Sequence, residues 1–326
     1  MLSRTASNLY WMARYIERAE NTARMLHIAH QKAMLASARA VSAGEWAQPL
    51  LITGRHAAYV ASGRPIDAPS VTSYMAIDPD NPASIAACLR HARENARAVR
   101  STITSEMWEV VNTTWLGLRD FNTDLCESRE AGRLLAWVKE RSHLFRGVTF
   151  GTMLHDEAFR FNRLGTFLER GDNTVRILDV TYHALVEDED IPHAEYYHWT
   201  ALLRSVSALE AYRKVYRDNL DPERVARFLM LDRQLPRSLM YCIHEVYMAL
   251  ESVIGSVQAP PMRTVMGLYA QLDNATVPDL CGADGRLELQ PFLRRLETLA
   301  AQVADSVFAP RPSGARSSAM KMLGAA

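Results

Sequence analysis

Leu9, Met12, Ile16, Ala19, Ala23 and Leu26 recur at intervals of three and four, and neither glycine nor proline interrupts the chain from Ser3 to Ala38. That spacing predicts one long helix with an apolar stripe, capped by Ser3 or Ser7 and running to about Ala38. The stretch from Gly44 to Pro69 is less regular. Leu50-Leu51-Ile52 and Tyr59-Val60 predict a shorter helix there, closed by Gly63-Arg64-Pro65. Asp80-Asn81-Pro82 is a start signal, with Asn81 as cap and Pro82 in the first helical position, for a helix to about Thr102. Further helices are expected over 105–119 and 127–149. His155-Asp156 opens a second long helix, to about Val186. The acidic, proline-terminated run 187–192 is the best candidate boundary, and helices follow at about 196–216, 222–231, 236–254, 261–272 and 290–307. No run alternates in the manner of a strand. The pattern predicts an all-α bundle of long helices.

The two long helices carry the same sentence. Tyr15-Ile16-Glu17-Arg18-Ala19-Glu20-Asn21-Thr22-Ala23-Arg24-Met25-Leu26 returns 152 residues later as Phe167-Leu168-Glu169-Arg170-Gly171-Asp172-Asn173-Thr174-Val175-Arg176-Ile177-Leu178. Six positions are identical, and the other six exchange like for like without a gap. We read an internal duplication. It predicts one helical domain over 1–308, built from related halves of about 1–150 and 151–308, with a sub-boundary near 187–195. Residues 309–326 form an expected disordered tail, rich from Arg311 onward in small, polar and basic residues.

On a helix, Glu17, Glu20, Asn21 and Arg24 share a face, as do Glu169, Asp172, Asn173 and Arg176. Glu17 reaches Asn21, and Glu20 reaches Arg24, as i,i+4 partners. Such a face is commonly solvated and laced with weak ion pairs. Two features speak for burial: the polar positions match more strictly than the apolar ones, and Asn-Thr in mid-helix is a poor choice for plain surface. A buried stripe must be fully hydrogen-bonded, and it would fix which helix meets which. A ligand or catalytic site on the same residues is the third reading. Arg90, Arg93, Arg97 and Arg100 form a second stripe, with like charges stacked at three and four. It calls for acidic partners, with Glu17, Glu20, Glu169 and Asp172 the obvious internal ones, or for an anionic ligand gripped by forked guanidinium groups.

Composition narrows the function. Basic and acidic residues number 37 each, so no overall field attracts nucleic acid or an anionic membrane. The four cysteines lie far apart, which suits a reducing compartment, and no apolar run is long enough to span a membrane. A cytoplasmic location is expected. Glu140-Arg141-Ser142-His143 is a lone metal-carboxylate fragment, and His27 with His30 lacks a third ligand, so neither a metal nor a cofactor is expected. Phosphate-loop, dinucleotide and nucleophile-elbow motifs are missing.

Leu9-Tyr10-Trp11-Met12-Ala13-Arg14-Tyr15-Ile16-Glu17-Arg18-Ala19-Glu20-Asn21 resembles the opening of the alpha-E family of bacterial helical proteins. Arg93-Glu94-Asn95-Ala96-Arg97, Glu106-Met107-Trp108-Glu109, Glu169-Arg170 and Leu235-Pro236-Arg237-Ser238 fit the same family, and the similarity covers about 1–308. The resemblance marks Glu17, Arg18, Glu20, Asn21, Arg24, Glu169, Arg170, Asn173 and Arg176. It also implies an association with circularly permuted ATP-grasp ligases and transglutaminase-like peptidases, in a pathway that forms amide or peptide bonds. Two functions follow as expectations. One is a non-catalytic accessory or scaffold subunit that binds such a ligase or presents its peptide substrate; a homo-oligomer stays open. The other is an enzyme of the same pathway, with paired carboxylates as acid and base and an arginine grip on an anion. The second requires a pocket where Glu17, Arg97, Glu169 and Arg176 converge.

Overall fold

The computed structural model describes residues 1–35, 43–121, 128–187, 194–217, 220–282 and 287–308. These form fourteen α-helices and no sheet, with a single β-bridge between Cys281 and Leu287. The helices of the first half are α1 (Ser3–Leu35), α2 (Ala43–Ile52), α3 (His56–Ala61), α4 (Ala68–Ala76), α5 (Ile85–Ala98), α6 (Ser105–Gly117) and α7 (Ser128–Thr152). The second half has α8 (Glu157–Glu187), α9 (Ala194–Ser205), α10 (Leu209–Tyr216), α11 (Pro222–Leu231), α12 (Leu239–Ile254), α13 (Pro260–Asn274) and α14 (Gln290–Val303). A short π-helical turn, Ala304–Phe308, follows α14.

Where the structure departs from the sequence pattern, turn chemistry explains it. Helix α4 escaped the periodicity. Asp67 caps it by accepting from the Ser70 amide at 2.9 Å, with proline in the first turn. Asn81 does not cap α5. It is buried and closes a turn onto the Ala83 amide at 3.0 Å, and Ser84 makes the cap by accepting from Ala87 at 3.2 Å. Helix α5 also stops at Ala98, short of Thr102. The helix expected over 196–216 is two, broken at Ser207, whose φ is 52°. The expected tail and most of the acidic boundary loop lie outside the described residues.

The two longest helices, α1 and α8, pack along each other at the centre. Contacts ascend together: Tyr10 meets Gly165, Glu17 meets Arg170, and Met25 and Ile177 line one crevice, so the helices run parallel. Gly165 sets their separation, since a Cβ there would sit 2.2 Å from the Tyr10 carbonyl oxygen. Helices α5 and α7 flank α1, and α12 and α14 flank α8.

The same local geometry recurs around the two central helices. Ser84 caps α5 and Ser238 caps α12, each preceded by proline and one other residue. The buried thiols of Cys88 and Cys242 lie four residues past those caps. Gly54 and Ser207 both take positive φ, and Arg55 and Ala208 follow with nearly identical backbone angles, opening α3 and α10. Tyr59 and Tyr212 are then fully buried at matching places. All of these helices contribute to one continuous apolar core.

Candidate functional site

The polar stripe of α1 faces inward: Glu17, Glu20 and Asn21 are buried. Arg170 of α8 forks onto Glu17, with Nε donating to Oε1 at 2.9 Å and Nη2 to Oε2 at 2.8 Å. Arg237, beside the α12 cap, lies 3.1 Å from Glu17 and donates to Glu20 at 2.8 Å and to the Asn21 Oδ1 at 3.0 Å. From α7, Ser142 donates to Glu20 at 2.6 Å, and Arg146 bridges Glu17 and Glu20. Arg24 donates to Glu20 at 2.8 Å, one turn along α1, and reaches Ser207 and His143. The expected Glu17–Asn21 pair is not made: the Glu17 oxygens go to Arg170, Arg146 and Arg237, and the Asn21 Nδ2, the group that could donate to Glu17, has no acceptor among the described residues.

The second copy of the motif answers the first. Glu169 accepts from Arg18 Nε at 2.5 Å and Nη2 at 2.9 Å, and from Arg14 Nε at 2.7 Å. Arg14 also lies over the rings of Tyr10 and Trp11. Asp172 accepts from Arg176 at 2.9 Å, the counterpart of Glu20 and Arg24, and Arg176 reaches Glu297 of α14 at 2.9 Å.

These pairings set the charge states. Burial on its own would raise the Glu17 carboxyl, yet Arg170 and Arg237 hold it below the ordinary range. Burial likewise opposes ionisation of Glu20, and Arg237, His143 and Arg146 bring it well below. Glu169 overcomes its burial through Arg14 and Arg18 and falls to about 2. Burial pulls Arg237 down to about 10 despite Glu17 and Glu20. Asp172 goes the other way, raised because burial outweighs Arg176. At neutral pH three glutamates stay ionised and saturated with donors, so none is poised to carry a proton.

Beside this network lies an open cavity of about 360 Å³, walled by residues of α1, the α2–α3 turn, α8 and α14. Glu169, Asp172, Asn173 and Arg176 line it, together with Arg14, Arg18 and Asn21. The pocket required by a catalytic reading is therefore met in part. Glu169 and Arg176 meet there, but Glu17 is absent from the wall. Arg97 sits on the surface, 2.9 Å from Glu94.

The arginine stripe as a whole corrects expectation. Arg90, Arg97 and Arg100 are exposed, and Arg93 is half-buried. Arg93 donates to Asn112 at 2.8 Å and Arg100 lies over the Trp108 ring, because Ala92, Ala96 and Cys88 supply the face that α5 turns to the core. None of the stripe pairs with Glu17, Glu20, Glu169 or Asp172. His30 shares a hydrogen bond with Thr72 at 2.9 Å, and His27 one with Gln31 at 3.1 Å. Glu140 is exposed, and no cluster of three metal-ligating side chains occurs among the described residues.

Sequence reasoning missed Arg146 and Ser142 of α7 and Arg55 of the α2–α3 turn, which share no spacing with the motif. Arg14 and Arg237 stood inside stretches that drew attention, but nothing local assigned their partners.

No helix among the described residues is long and apolar enough to cross a membrane. Uncharacterised proteins of Mycobacterium bovis and Mycobacterium tuberculosis are 26% identical to the chain over 322 residues, covering 93% of it. The chain spans only 36% of the length of these curated relatives. No solved structure matches it. The model of the Alpha-E family, described as a predicted alpha-helical domain with a conserved ER motif, matches residues 1–309. Glu17-Arg18 and Glu169-Arg170 are two such Glu-Arg pairs, interlocked at the centre of the fold, and the chain belongs to the Alpha-E family.

Proposed function

We propose that this chain is a non-catalytic accessory subunit, acting in the cytoplasm with a circularly permuted ATP-grasp ligase that forms amide or peptide bonds. The observation that carries the reading is the saturation of the motif: Glu17, Glu20 and Glu169 each face at least two guanidinium groups and are held ionised. Such a cluster locks helices and leaves no free base. The ligase enters through the family likeness. That the family's domain forms about a third of longer relatives supports work alongside another module. The buried, unpaired thiols of Cys88 and Cys242 suit a reducing compartment.

A second reading, an enzyme of the same pathway, draws support from the cavity, where Asp172 and Arg176 stand together and burial raises the Asp172 carboxyl. The accessory reading is tested by ATP hydrolysis and amide formation by a circularly permuted ATP-grasp ligase from the same genome, with and without this chain. Stimulation of both, with co-purification, is expected. Unchanged rates and no association would overturn the reading.

A further inference from the structure

The cavity and the buried network occupy matching places about the two central helices. Around Glu17 and Glu20, space is filled by Arg237, next to the α12 cap, and Arg146 of α7. At the matching places around Glu169 and Asp172 stand Ala83, next to the α5 cap, and Ala300 of α14. Two guanidinium groups are thus replaced by methyl groups, and the cavity lies where they would be. One guanidinium is gained. Arg55 stands where the other half has Ala208, and it faces the cavity.

The donors left over define the ligand. Four arginines line the cavity against three carboxylates. Arg14 and Arg18 share Glu169, and Arg176 takes Asp172 and Glu297. Arg55 has no acceptor for its buried Nε among the described residues and joins no ion pair there. Asn21, only 3% exposed, has an Nδ2 without an acceptor among them. Its amide cannot be turned round, because Arg237 donates to Oδ1. Two donors without an acceptor, Arg55 Nε and Asn21 Nδ2, thus lie buried in side chains of the cavity wall, where an unmet donor is costly. The excess of one guanidinium matches a single negative charge, and the three carboxylates repel a dianion. A volume of about 360 Å³ falls in the range of small-molecule sites.

We propose that this cavity binds a small organic monocarboxylate, held by the forked guanidinium of Arg55 and the Asn21 amide. The site belongs to the isolated chain and is independent of any ligase partnership. Isothermal titration of the purified full chain with N-acetylglycine tests it, against neutral N-acetylglycinamide, methylguanidinium and inorganic phosphate. One-site binding of N-acetylglycine is expected, at least tenfold weaker in Arg55→Gln and abolished in Ala83→Arg, which refills the cavity as Arg237 fills its counterpart. Circular dichroism confirms that both variants are folded, and loss of binding in either folded variant supports the site. Binding that survives both substitutions, preference for methylguanidinium or phosphate, equal binding of the amide, or no binding of N-acetylglycine would overturn it.

Discussion

Glu17 and Arg170 form a forked ion pair across the two central helices, and Arg18 and Glu169 form the reciprocal pair with the copies exchanged. The repeated Glu-Arg dipeptide is thus a clasp between parallel helices. Buried ion pairs add little net stability, since the cost of taking charges out of water offsets their attraction. They are unforgiving of misregister. Sliding α1 along α8 by one residue would leave several buried charges unpaired, so the clasp fixes alignment.

Glu17→Gln leaves Arg170 and Arg237 facing a neutral group in a site that is 1% exposed at Glu17. A loss of about 3–5 kcal/mol is expected, read from urea denaturation. Arg97→Gln, on the exposed end of the α5 stripe, is expected to cost less than about 0.5 kcal/mol.

Acid should unfasten the clasp. The Glu169 carboxyl titrates at about 2 in the folded chain, below the ~4.3 of an unfolded glutamate. A group depressed on folding contributes stability above its unfolded value, and loses it as pH falls through the folded one. Glu17 and Glu20 shift in the same direction. Asp172 shifts oppositely and regains a little stability on protonation. Melting temperature should therefore fall between about pH 4.5 and 2, with a shallower fall in Glu169→Gln. Equal slopes would remove Glu169 from the account.

Gly165→Ala forces a Cβ against the Tyr10 carbonyl oxygen and pushes the central helices apart. A destabilisation of about 3 kcal/mol or more is expected. Gly147→Ala, in α7 with open space around it, should be neutral or stabilise by about 0.5–1 kcal/mol through helix propensity. Paired thermal melts distinguish the two.

Burial pushes the Cys88 and Cys242 thiols up to about 12. Iodoacetamide at pH 8 should leave both unmodified in the native chain and alkylate both in urea, as read by peptide mass mapping.

Much of this was legible in the sequence. The three-and-four spacing of Leu9, Met12 and Ile16 located α1, and the helix expected over 222–231 is α11, whose Asp221 cap accepts from the Arg224 amide at 3.1 Å. For Glu17, Glu20 and Asn21 the poor fit of Asn-Thr to an exposed helix spoke for burial without deciding it against a solvated face, and the structure shows them buried. Pairing did not follow, because partners such as Arg146 and Arg237 lie more than a hundred residues away and only packing brings them in. The α5 arginines misled for the same reason: spacing shows that they share a face, but not which way the face turns. The cavity was invisible, since it is marked by alanines, Ala83 and Ala300, at places the other half fills with arginine.

The central claim, that the two Glu-Arg copies clasp each other, is tested most directly by double-mutant cycles in urea on Glu17→Gln with Arg170→Gln and on Arg18→Gln with Glu169→Gln. Each cycle should give a coupling energy of about 1–3 kcal/mol, as expected for contacting groups in one network. Additivity within about 0.3 kcal/mol in both cycles would contradict the clasp.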